Sequence, residues 1–279
     1  MYPVLFRIGG LTITSFGVMM ALSFLVGGWI ASRELKRGGH DPDVAWDLVL
    51  YAAIAGVLGA KLYYLVLNWG DTLADPVGAL TSRSGLVWYG GFIAAALVVA
   101  WRVKHLGLSI LRTGDLVAPA LAVGYAIGRM GCFLVGDDYG RPTALPWGVA
   151  FPEGAPPSTV ENLRGMFGVD IPADIPGNAV LTVHPTQLYE VAMALIIFAI
   201  LWSMRKTPRN AGMLFAVYLA LAGVERFIVE IFRAKDDRFI GPLTVAQLLS
   251  LALMVGGIAL YLRLRRSDGG TQVAASAAR

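Results

Sequence analysis

Long apolar stretches recur along the whole chain, and they constrain its fold more than any other feature. A helix needs about 20 mainly apolar residues to cross a bilayer. Seven stretches qualify, some with an embedded charge, at residues 12–32, 44–68, 85–102, 114–135, 187–204, 211–232 and 243–262. Only 15% of the residues are charged, against roughly 25% in soluble domains. The sequence therefore predicts an all-α polytopic membrane protein with about seven transmembrane helices.

Basic residues between the stretches indicate the orientation, because Lys and Arg accumulate in cytoplasmic loops. They cluster after the first, third and fifth stretches and near the end, at residues 33–37, 102–112, 205–209 and 263–266. We therefore predict an extracytoplasmic N-terminus and a cytoplasmic C-terminus. The loop after the sixth stretch is also basic yet falls outside, so we expect its charges to serve a site.

The segment 136–186 is the one long connection between the apolar stretches, and it is rich in Pro and Gly. Loops of this length are usually functional or disordered. We predict that it forms a small extracytoplasmic cap between helices 1–4 (residues 1–135) and helices 5–7 (residues 187–266). The tail 267–279 is expected to be cytoplasmic and disordered.

Several classes of protein and site are not supported by the composition. Cys132 is the single cysteine, and the three histidines lie far apart, at positions 40, 105 and 184. We expect no metal site, and we expect Cys132 to be a small buried hydrophobe. Basic residues interleaved with aromatics are absent from the sequence, so we expect no nucleic-acid partner. The first apolar stretch is long enough to be a retained helix rather than a cleaved signal.

Charged residues inside the apolar stretches are expensive in lipid and mark candidate sites. Arg226, Glu230 and Arg233 are spaced i, i+4, i+7 and therefore share one helix face. Arg226 and Glu230 either neutralise each other to fix helix packing or face a wet cavity. The other candidates at membrane depth are Lys61, Asp115, Arg129 and Glu225.

Arg129 stands near the end of the fourth stretch without a carboxylate three or four positions away. It either snorkels to the interface or binds an anion. Guanidinium forks suit phosphates, and the phosphate at that depth belongs to a phospholipid. In the GDDYG that follows, Gly136 and Gly140 permit a tight turn. Asp137 and Asp138 either hold the arginine or face solvent, and for Asp138 we expect solvent.

Two further polar segments adjoin the stretches. In HPTQLYE (residues 184–190), Pro185 suits a first helical turn, with Thr186 or His184 as the cap and Glu190 inside the fifth stretch. The segment also fits a capped helix start at the membrane interface. In VWYGGF (residues 87–92), aromatic residues are typical of a membrane belt, and the glycine pair permits a close approach of backbone or ligand.

Four motifs, in order, resemble one bacterial family. GRMGCFLVGDDYG (128–140) resembles the signature G-R-x-G-N-F-x-N-G-E-x-x-G of prolipoprotein diacylglyceryl transferases. HPTQLYE resembles the H-P-[ST]-Q-L-Y-E of that family, and RFIVEIFR resembles its R-F-x-x-E-x-x-R. DLVAPALAVGYAIGR resembles the D-x-x-A-P segment before the signature. The resemblance spans about residues 10 to 262.

The resemblance implies an inner-membrane enzyme that moves the diacylglyceryl group of phosphatidylglycerol to the lipobox cysteine of a prolipoprotein signal peptide, releasing glycerol 1-phosphate without a cofactor. It implies catalytic roles for Arg129, Arg226 and Glu230, with Tyr89 in the slot of the histidine of an H-G-G motif. Binding of the membrane lipid phosphatidylglycerol is expected to involve Arg129 together with Lys61, Gly90, Gly91, Gly131, Asp137, Gly140, His184, Gln187, Glu190 and Arg233.

The departures from the family pattern leave alternatives open. Tyr89 replaces the histidine, Cys132 the signature asparagine and Asp137 the signature glutamate, while Phe16 and Lys61 stand where tyrosine and arginine are usual. A divergent transferase with another acceptor, or a non-catalytic phospholipid-binding protein, would carry the same scaffold. A transporter is disfavoured because the hydropathy shows no inverted repeat.

Overall fold

A computed structural model describes residues 1–9, 11–82, 85–207, 209–234, 238–240 and 243–277. Its helices are α1 (Ser15–Arg37), α2 (Asp43–Leu67), α3 (Trp69–Ala74), α4 (Pro76–Thr81), α5 (Trp88–His105), α6 (Ile110–Val135), α7 (Val160–Gly165), α8 (Thr186–Met204), α9 (Met213–Phe232) and α10 (Val245–Ala277). Its strands are β1 (Val4–Ile8), β2 (Leu11–Thr14), β3 (Val149–Ala150), β4 (Thr182–Val183), β5 (Arg238–Ile240) and β6 (Leu243–Thr244). They form three antiparallel pairs, β1–β2, β3–β4 and β5–β6. The chain is thus mostly helical, with short strand pairs that the sequence did not predict.

Helices long and apolar enough to cross a membrane are α1, α2, α6, α8 and the Val245–Arg266 part of α10. The predicted stretches 85–102 and 211–232 are also helical, as α5 and α9. Both are more polar, since α5 ends in three basic residues and α9 carries Glu225, Arg226 and Glu230. Helix α10 continues to Ala277, into the segment 267–279 for which we expected disorder.

The chain divides into two compact units, and the boundaries between them fall within α1 and α6. The first unit comprises Met1–Gly27 and Ala118–Arg279, and the second comprises Gly28–Val117. In the first unit α9 packs closely on α10 because glycines remove the side chains between them. A Cβ on Gly223 would lie 2.6 Å from the carbonyl oxygen of Ser250, and one on Gly257 would lie 2.6 Å from the amide nitrogen of Ala220. Small residues at such crossings are typical of helices packed in lipid.

The second unit is organised by the pairing of α2 with α5. Gly59 of α2 faces Gly90 of α5, and a Cβ on Gly90 would lie 2.5 Å from the carbonyl oxygen of Gly59. A Cβ on Gly91 would lie 2.8 Å from the carbonyl oxygen of Gly56. These glycines let the two backbones approach more closely than any side chain would allow.

The segment 136–186 folds around its own apolar cluster. Tyr139 stacks on Phe151 with ring centroids 5.3 Å apart, and Val160, Leu163 and Val183 are fully buried beside them. The β3–β4 pair and the short helix α7, capped by the Thr159 hydroxyl, frame this cluster. The segment is therefore an ordered structure, and its predicted extracytoplasmic location stays a prediction.

Candidate functional site

Three arginines and three carboxylates alternate in a closed ring of ion pairs in the first unit. We call this set the charge ring, and its members in order are Arg129, Asp138, Arg233, Glu230, Arg226 and Glu190. They come from the C-terminal ends of α6 and α9, the N-terminal end of α8 and the loop after α6. The formal charges cancel, which matters because an unpaired buried charge costs several kcal/mol.

Asp138 joins two arginines through separate carboxylate oxygens. Its Oδ2 lies 2.9 Å from Nη1 of Arg129, and its Oδ1 lies 2.6 Å from Nη2 of Arg233. Burial raises the pKa of Asp138, but the two guanidiniums lower it by more, so it lies well below its usual value. We expected Asp138 to face solvent rather than to hold an arginine; it holds two, although its side chain remains partly exposed.

Glu190 is the deepest member of the ring, with its side chain fully buried. Its Oε1 lies 3.2 Å from Nη2 of Arg129 and 3.4 Å from Nη1 of Arg226. The hydroxyl of Tyr125 donates a hydrogen bond of 2.8 Å to the same oxygen and accepts one of 3.1 Å from Nε of Arg129. Glu190 and Tyr125 together fix the orientation of the Arg129 fork.

Glu230 closes the ring on α9. Its Oε2 lies 2.7 Å from Nη2 of Arg226 and 3.8 Å from Nε of Arg233. The hydroxyl of Thr244 donates to its Oε1 at 3.1 Å. Arg226, Glu230 and Arg233 share one face, as predicted, with Arg233 directly after the last residue of α9. Arg226 and Glu230 do neutralise each other, and the ring in addition ties them to residues outside α9.

The side chains of the ring differ in exposure, and the more exposed ones mark the side from which an anion can reach the ring. The side chains of Glu190 and Glu230 are 0% and 2% exposed, and those of Arg233, Arg129 and Arg226 are 12%, 18% and 26% exposed. Asp138 is the most open at 39%. The carboxylates of α8 and α9 thus lie beneath the guanidiniums, which remain partly accessible.

The loop 136–140 is held against α8 and α9 by its backbone. The Asp138 carbonyl accepts from the Thr186 hydroxyl at 2.7 Å, and the Asp137 carbonyl accepts from the buried Gln187 amide. The amide of Gly140 donates to the carbonyl of His184 at 2.8 Å. A Cβ on Gly140 would lie 2.7 Å from that of His184. Three predicted substrate-binding residues, Gly140, His184 and Gln187, therefore position this loop.

The start of α8 differs from the prediction that Thr186 or His184 caps it. Pro185 occupies the N-cap position, and no side chain caps the helix. The Thr186 hydroxyl bonds to the Asp138 carbonyl instead. The His184 Nδ1 lies 3.1 Å from the Tyr189 hydroxyl, and burial lowers the pKa of His184. The capping prediction is wrong because the Thr186 hydroxyl bonds to the loop after α6 and the His184 ring nitrogen contacts Tyr189.

Cys132 and Asp137 lie beside the ring. Cys132 is buried, as expected, with Sγ 3.8 Å from Nη1 of Arg129. Burial raises the pKa of Asp137 to about 6, and its Oδ1 is buried without a hydrogen-bond partner. Ligand atoms of Cys132, Asp137 and Asp138 lie within 4.8 Å of one another. The adjacent Arg129 guanidinium opposes a metal cation there.

Gly131 packs on α1, since its Cβ would lie 3.0 Å from that of Met19.

The remaining predicted residues lie in the second unit. Lys61 on α2 donates from Nζ to the carbonyl oxygen and hydroxyl of Ser82, at 3.0 and 2.8 Å. Tyr89 is 39% exposed at the start of α5, with its ring 5.3 Å from that of Trp88. Helix packing accounts for Gly90 and Gly91. A substrate role for these four residues stays a prediction.

The sequence patterns indicated no role for Tyr125 and did not reveal the residues that surround Glu225. Tyr125 precedes Arg129 by one helical turn, and this i, i+4 spacing is the signal that could have found it. Glu225, named only as a charge at membrane depth, is 5% exposed, and its Oε1 is buried without a hydrogen-bond partner. It lies near Tyr125 and Glu190. No sequence pattern indicated that grouping, since its members come from three helices.

Comparison with known proteins gives a consistent result along nearly the whole chain. A family model described as prolipoprotein diacylglyceryl transferase matches residues 3–263. The chain is 32% identical over 262 residues to a phosphatidylglycerol–prolipoprotein diacylglyceryl transferase of Clostridium tetani, covering 94% of this chain and 97% of that protein. Proteins of the same name from Bordetella avium and a Nostoc species are 32% and 34% identical, covering 95% and 94% of this chain and 96% and 90% of their own lengths.

Proposed function

The chain belongs to the prolipoprotein diacylglyceryl transferase family, and we propose that it transfers the diacylglyceryl group of phosphatidylglycerol to the lipobox cysteine of a prolipoprotein. The names of its relatives state this donor and this acceptor. The observation that carries the proposal is the charge ring, in which three partly exposed guanidiniums converge. Such a cluster suits the phosphate of a lipid head group.

The reaction makes one bond and breaks one bond. The cysteine sulfur attacks the glyceryl carbon next to the phosphate, a thioether C–S bond forms, and the C–O bond to the phosphate breaks. The head group leaves as glycerol 1-phosphate, and the thiol proton passes to a base. Negative charge therefore grows on the departing phosphate oxygen, and oriented donors around that oxygen are the main means of lowering the barrier.

We assign Arg129 and Arg226 to the phosphate. Both side chains are partly exposed and each shares Oε1 of Glu190, so one buried carboxylate sets the directions of both forks. Glu230 supports Arg226 from below at 2.7 Å. Donors held in place before the substrate arrives need no reorganisation during the reaction. Glu190 and Glu230 thus serve as positioning residues for the two arginines.

The other site residues are proposed mainly on the family resemblance. Tyr89 stands in the histidine slot and is assigned to orient the substrate or pass the thiol proton. Lys61, Gly90 and Gly91 are assigned, together with Tyr89, to binding the lipid. Asp137, Gly140, His184, Gln187 and Arg233 are assigned to shape the phosphate end of the site, which agrees with their contacts around the loop 136–140. Gly131, which packs on α1, is assigned to the same end on the resemblance alone.

We propose seven spans in the bacterial inner membrane, with an extracytoplasmic N-terminus and a cytoplasmic C-terminus. In that arrangement the C-terminal ends of α6 and α9 and the N-terminal end of α8 all fall on the extracytoplasmic side. These are the ends that supply the charge ring. The segment 136–186 then caps the same side. Secreted precursors emerge on that side, so acceptor and ring would meet there.

A divergent acceptor, or lipid binding without catalysis, is the second candidate. The departures at Tyr89 and Cys132 favour it, because a phenol accepts protons less readily than an imidazole. The intact charge ring favours the transferase, since charge stabilisation usually contributes more than a single base.

A turnover assay tests the proposal. Purified protein in phosphatidylglycerol micelles is given a lipobox peptide, and released glycerol 1-phosphate is measured. We expect release that requires the peptide cysteine. The matched controls are the same peptide with serine for cysteine, and phosphatidylethanolamine for phosphatidylglycerol. Absence of release with bound phosphatidylglycerol would contradict the transferase and support the second candidate.

A further inference from the structure

One member of the charge ring is unlike the others. Glu190 and Glu230 are buried within helices, whereas Asp138 lies in the loop after α6 and its side chain is 39% exposed. The family signature specifies no residue type at this position, which follows the acidic position occupied here by Asp137. The arginines that suit a lipid phosphate are therefore partly occupied by an anion that the chain itself supplies.

The carboxylate of Asp138 resembles a phosphodiester in charge and in geometry. Both carry one negative charge, and both present paired oxygens to guanidinium groups. Asp138 uses one oxygen for Arg129 at 2.9 Å and the other for Arg233 at 2.6 Å. A lipid phosphate in the same place would keep the ring neutral. If Asp138 stayed in place, the phosphate would instead add an excess negative charge.

We propose that Asp138 is an internal competitor, which holds Arg129 and Arg233 in the absence of lipid and is displaced by the lipid phosphate. This inference rests on the proposed function for the identity of the anion. After transfer, glycerol 1-phosphate faces the same competitor, and the return of Asp138 to the arginines promotes its release. Asp138 would thus weaken substrate binding and speed product release.

The local backbone is compatible with a swing of the Asp138 side chain alone. The Asp138 carbonyl is fixed by the Thr186 hydroxyl at 2.7 Å, so the loop stays in place while the carboxylate turns outward. The residue has a φ of +56°, a left-handed conformation that Asp and Asn tolerate better than most residues and that Gly adopts freely. Asp138→Asn and Asp138→Gly therefore remove the charge or the whole side chain without new backbone strain.

Kinetics of these two variants test the competitor. A site that is free one-tenth of the time binds its ligand about tenfold more weakly than a free site. We expect the KM for phosphatidylglycerol and the inhibition constant of glycerol 1-phosphate to fall by about this factor in both variants. The control is Asp174→Asn, which removes an exposed negative charge from the same segment and should leave both constants unchanged.

The alternative is that Asp138 permanently positions Arg129 and Arg233. In that case both variants would show a raised or unchanged KM, and the competitor would be refuted. An unfolding temperature like that of the wild type, measured by tryptophan fluorescence during heating, would verify that each variant is folded.

Direct binding separates this inference from the proposed function. Glycerol 1-phosphate is titrated into the purified protein without peptide, and its dissociation constant is measured by calorimetry. Tighter binding by Asp138→Asn and Asp138→Gly than by the wild type supports the competitor even if the turnover assay fails. Equal or weaker binding by both variants overturns it even if turnover succeeds.

Discussion

The charge ring and the α2–α5 helix pair are built on opposite principles. The ring contains long charged side chains that stabilise one another through six ion-pair contacts. At the crossing of α2 and α5 the side chains are missing, and backbones meet at Gly59, Gly90 and Gly91. The ring therefore depends on charge, and the helix pair depends on space.

The two regions also differ in their proposed roles, since the charge ring takes part in the reaction and the helix pair supports the fold. Guanidiniums that are partly exposed can stabilise an external anion, whereas a glycine contact only brings two helices together. We therefore assign the electrostatic part of the reaction to the charge ring and a packing role to the glycine pair.

The largest effect is expected for Glu190→Gln, which removes the fully buried carboxylate shared by Arg129 and Arg226. Breaking a buried pair from one side costs about 3–5 kcal/mol. Labelling of Cys132 by a thiol-reactive dye during heating gives the loss of stability. Glu153→Gln, at an exposed site in the segment 136–186, is the control and should unfold like the wild type. An equal unfolding temperature for Glu190→Gln would mean that the ring is not needed for stability.

A smaller effect is expected for Gly90→Ala, because the added Cβ would lie 2.5 Å from the Gly59 carbonyl oxygen. Overpacking costs about 1–3 kcal/mol. Tryptophan fluorescence during heating is the measurement, since five of the seven tryptophans lie in residues 28–117. Gly70→Ala is the matched control, because its Cβ would meet no atom within 4 Å. If both variants behaved alike, close packing would not explain Gly90.

A comparable or smaller effect concerns pH and Asp137. Burial raises the pKa of Asp137 from 3.8 to about 6, so the fold favours the protonated form. The stability that the protonated carboxyl of Asp137 contributes is complete at pH values below its pKa in the unfolded state. It is lost as the pH rises through the pKa in the folded state. Asp137→Asn should therefore exceed the wild type in stability by about 3 kcal/mol at about pH 8, since each pKa unit corresponds to about 1.4 kcal/mol, and should nearly match it near pH 4. Tryptophan fluorescence during heating at both pH values is the measurement, with the exposed Asp170→Asn as control. A pH-independent difference would refute the titration of Asp137.

The smallest effect is expected for Tyr89→His, which restores the residue type usual in the family at the start of α5. Glycerol 1-phosphate release should stay the same or rise, because an imidazole accepts a proton more readily than a phenol. Tyr89→Phe shows whether the hydroxyl is used, since it keeps the ring. A folded but inactive Tyr89→His protein would indicate that this site depends on tyrosine.

Hydropathy predicted the long helices because burial in lipid depends on local composition. The spacing of Arg226, Glu230 and Arg233 predicted their common face, since it follows from helix geometry alone. The signature around Arg129 predicted a site at the end of α6, where the structure places the charge ring.

The closure of the ring was not predictable from such local patterns. Asp138 and Arg233 are 95 positions apart, and Tyr125 and Glu190 are 65 apart. Solvent was a reasonable expectation for an aspartate in a glycine-rich loop. Only the packing of three helix ends brings two arginines to it. The apolar cluster around Tyr139 and Phe151 was likewise hidden, because its residues follow no helical or strand period.

Turnover by Arg129→Ala tests the central claim most directly. Release of glycerol 1-phosphate from phosphatidylglycerol micelles is compared with the wild type and with Arg112→Ala, which removes an exposed arginine of the second unit. If the charge ring binds the lipid phosphate, release by Arg129→Ala should fall at least about 100- to 1,000-fold, as when one essential donor to a developing anion is removed. Release by Arg112→Ala should be unchanged. Wild-type release by a folded Arg129→Ala protein would contradict the assignment of the lipid phosphate to the ring.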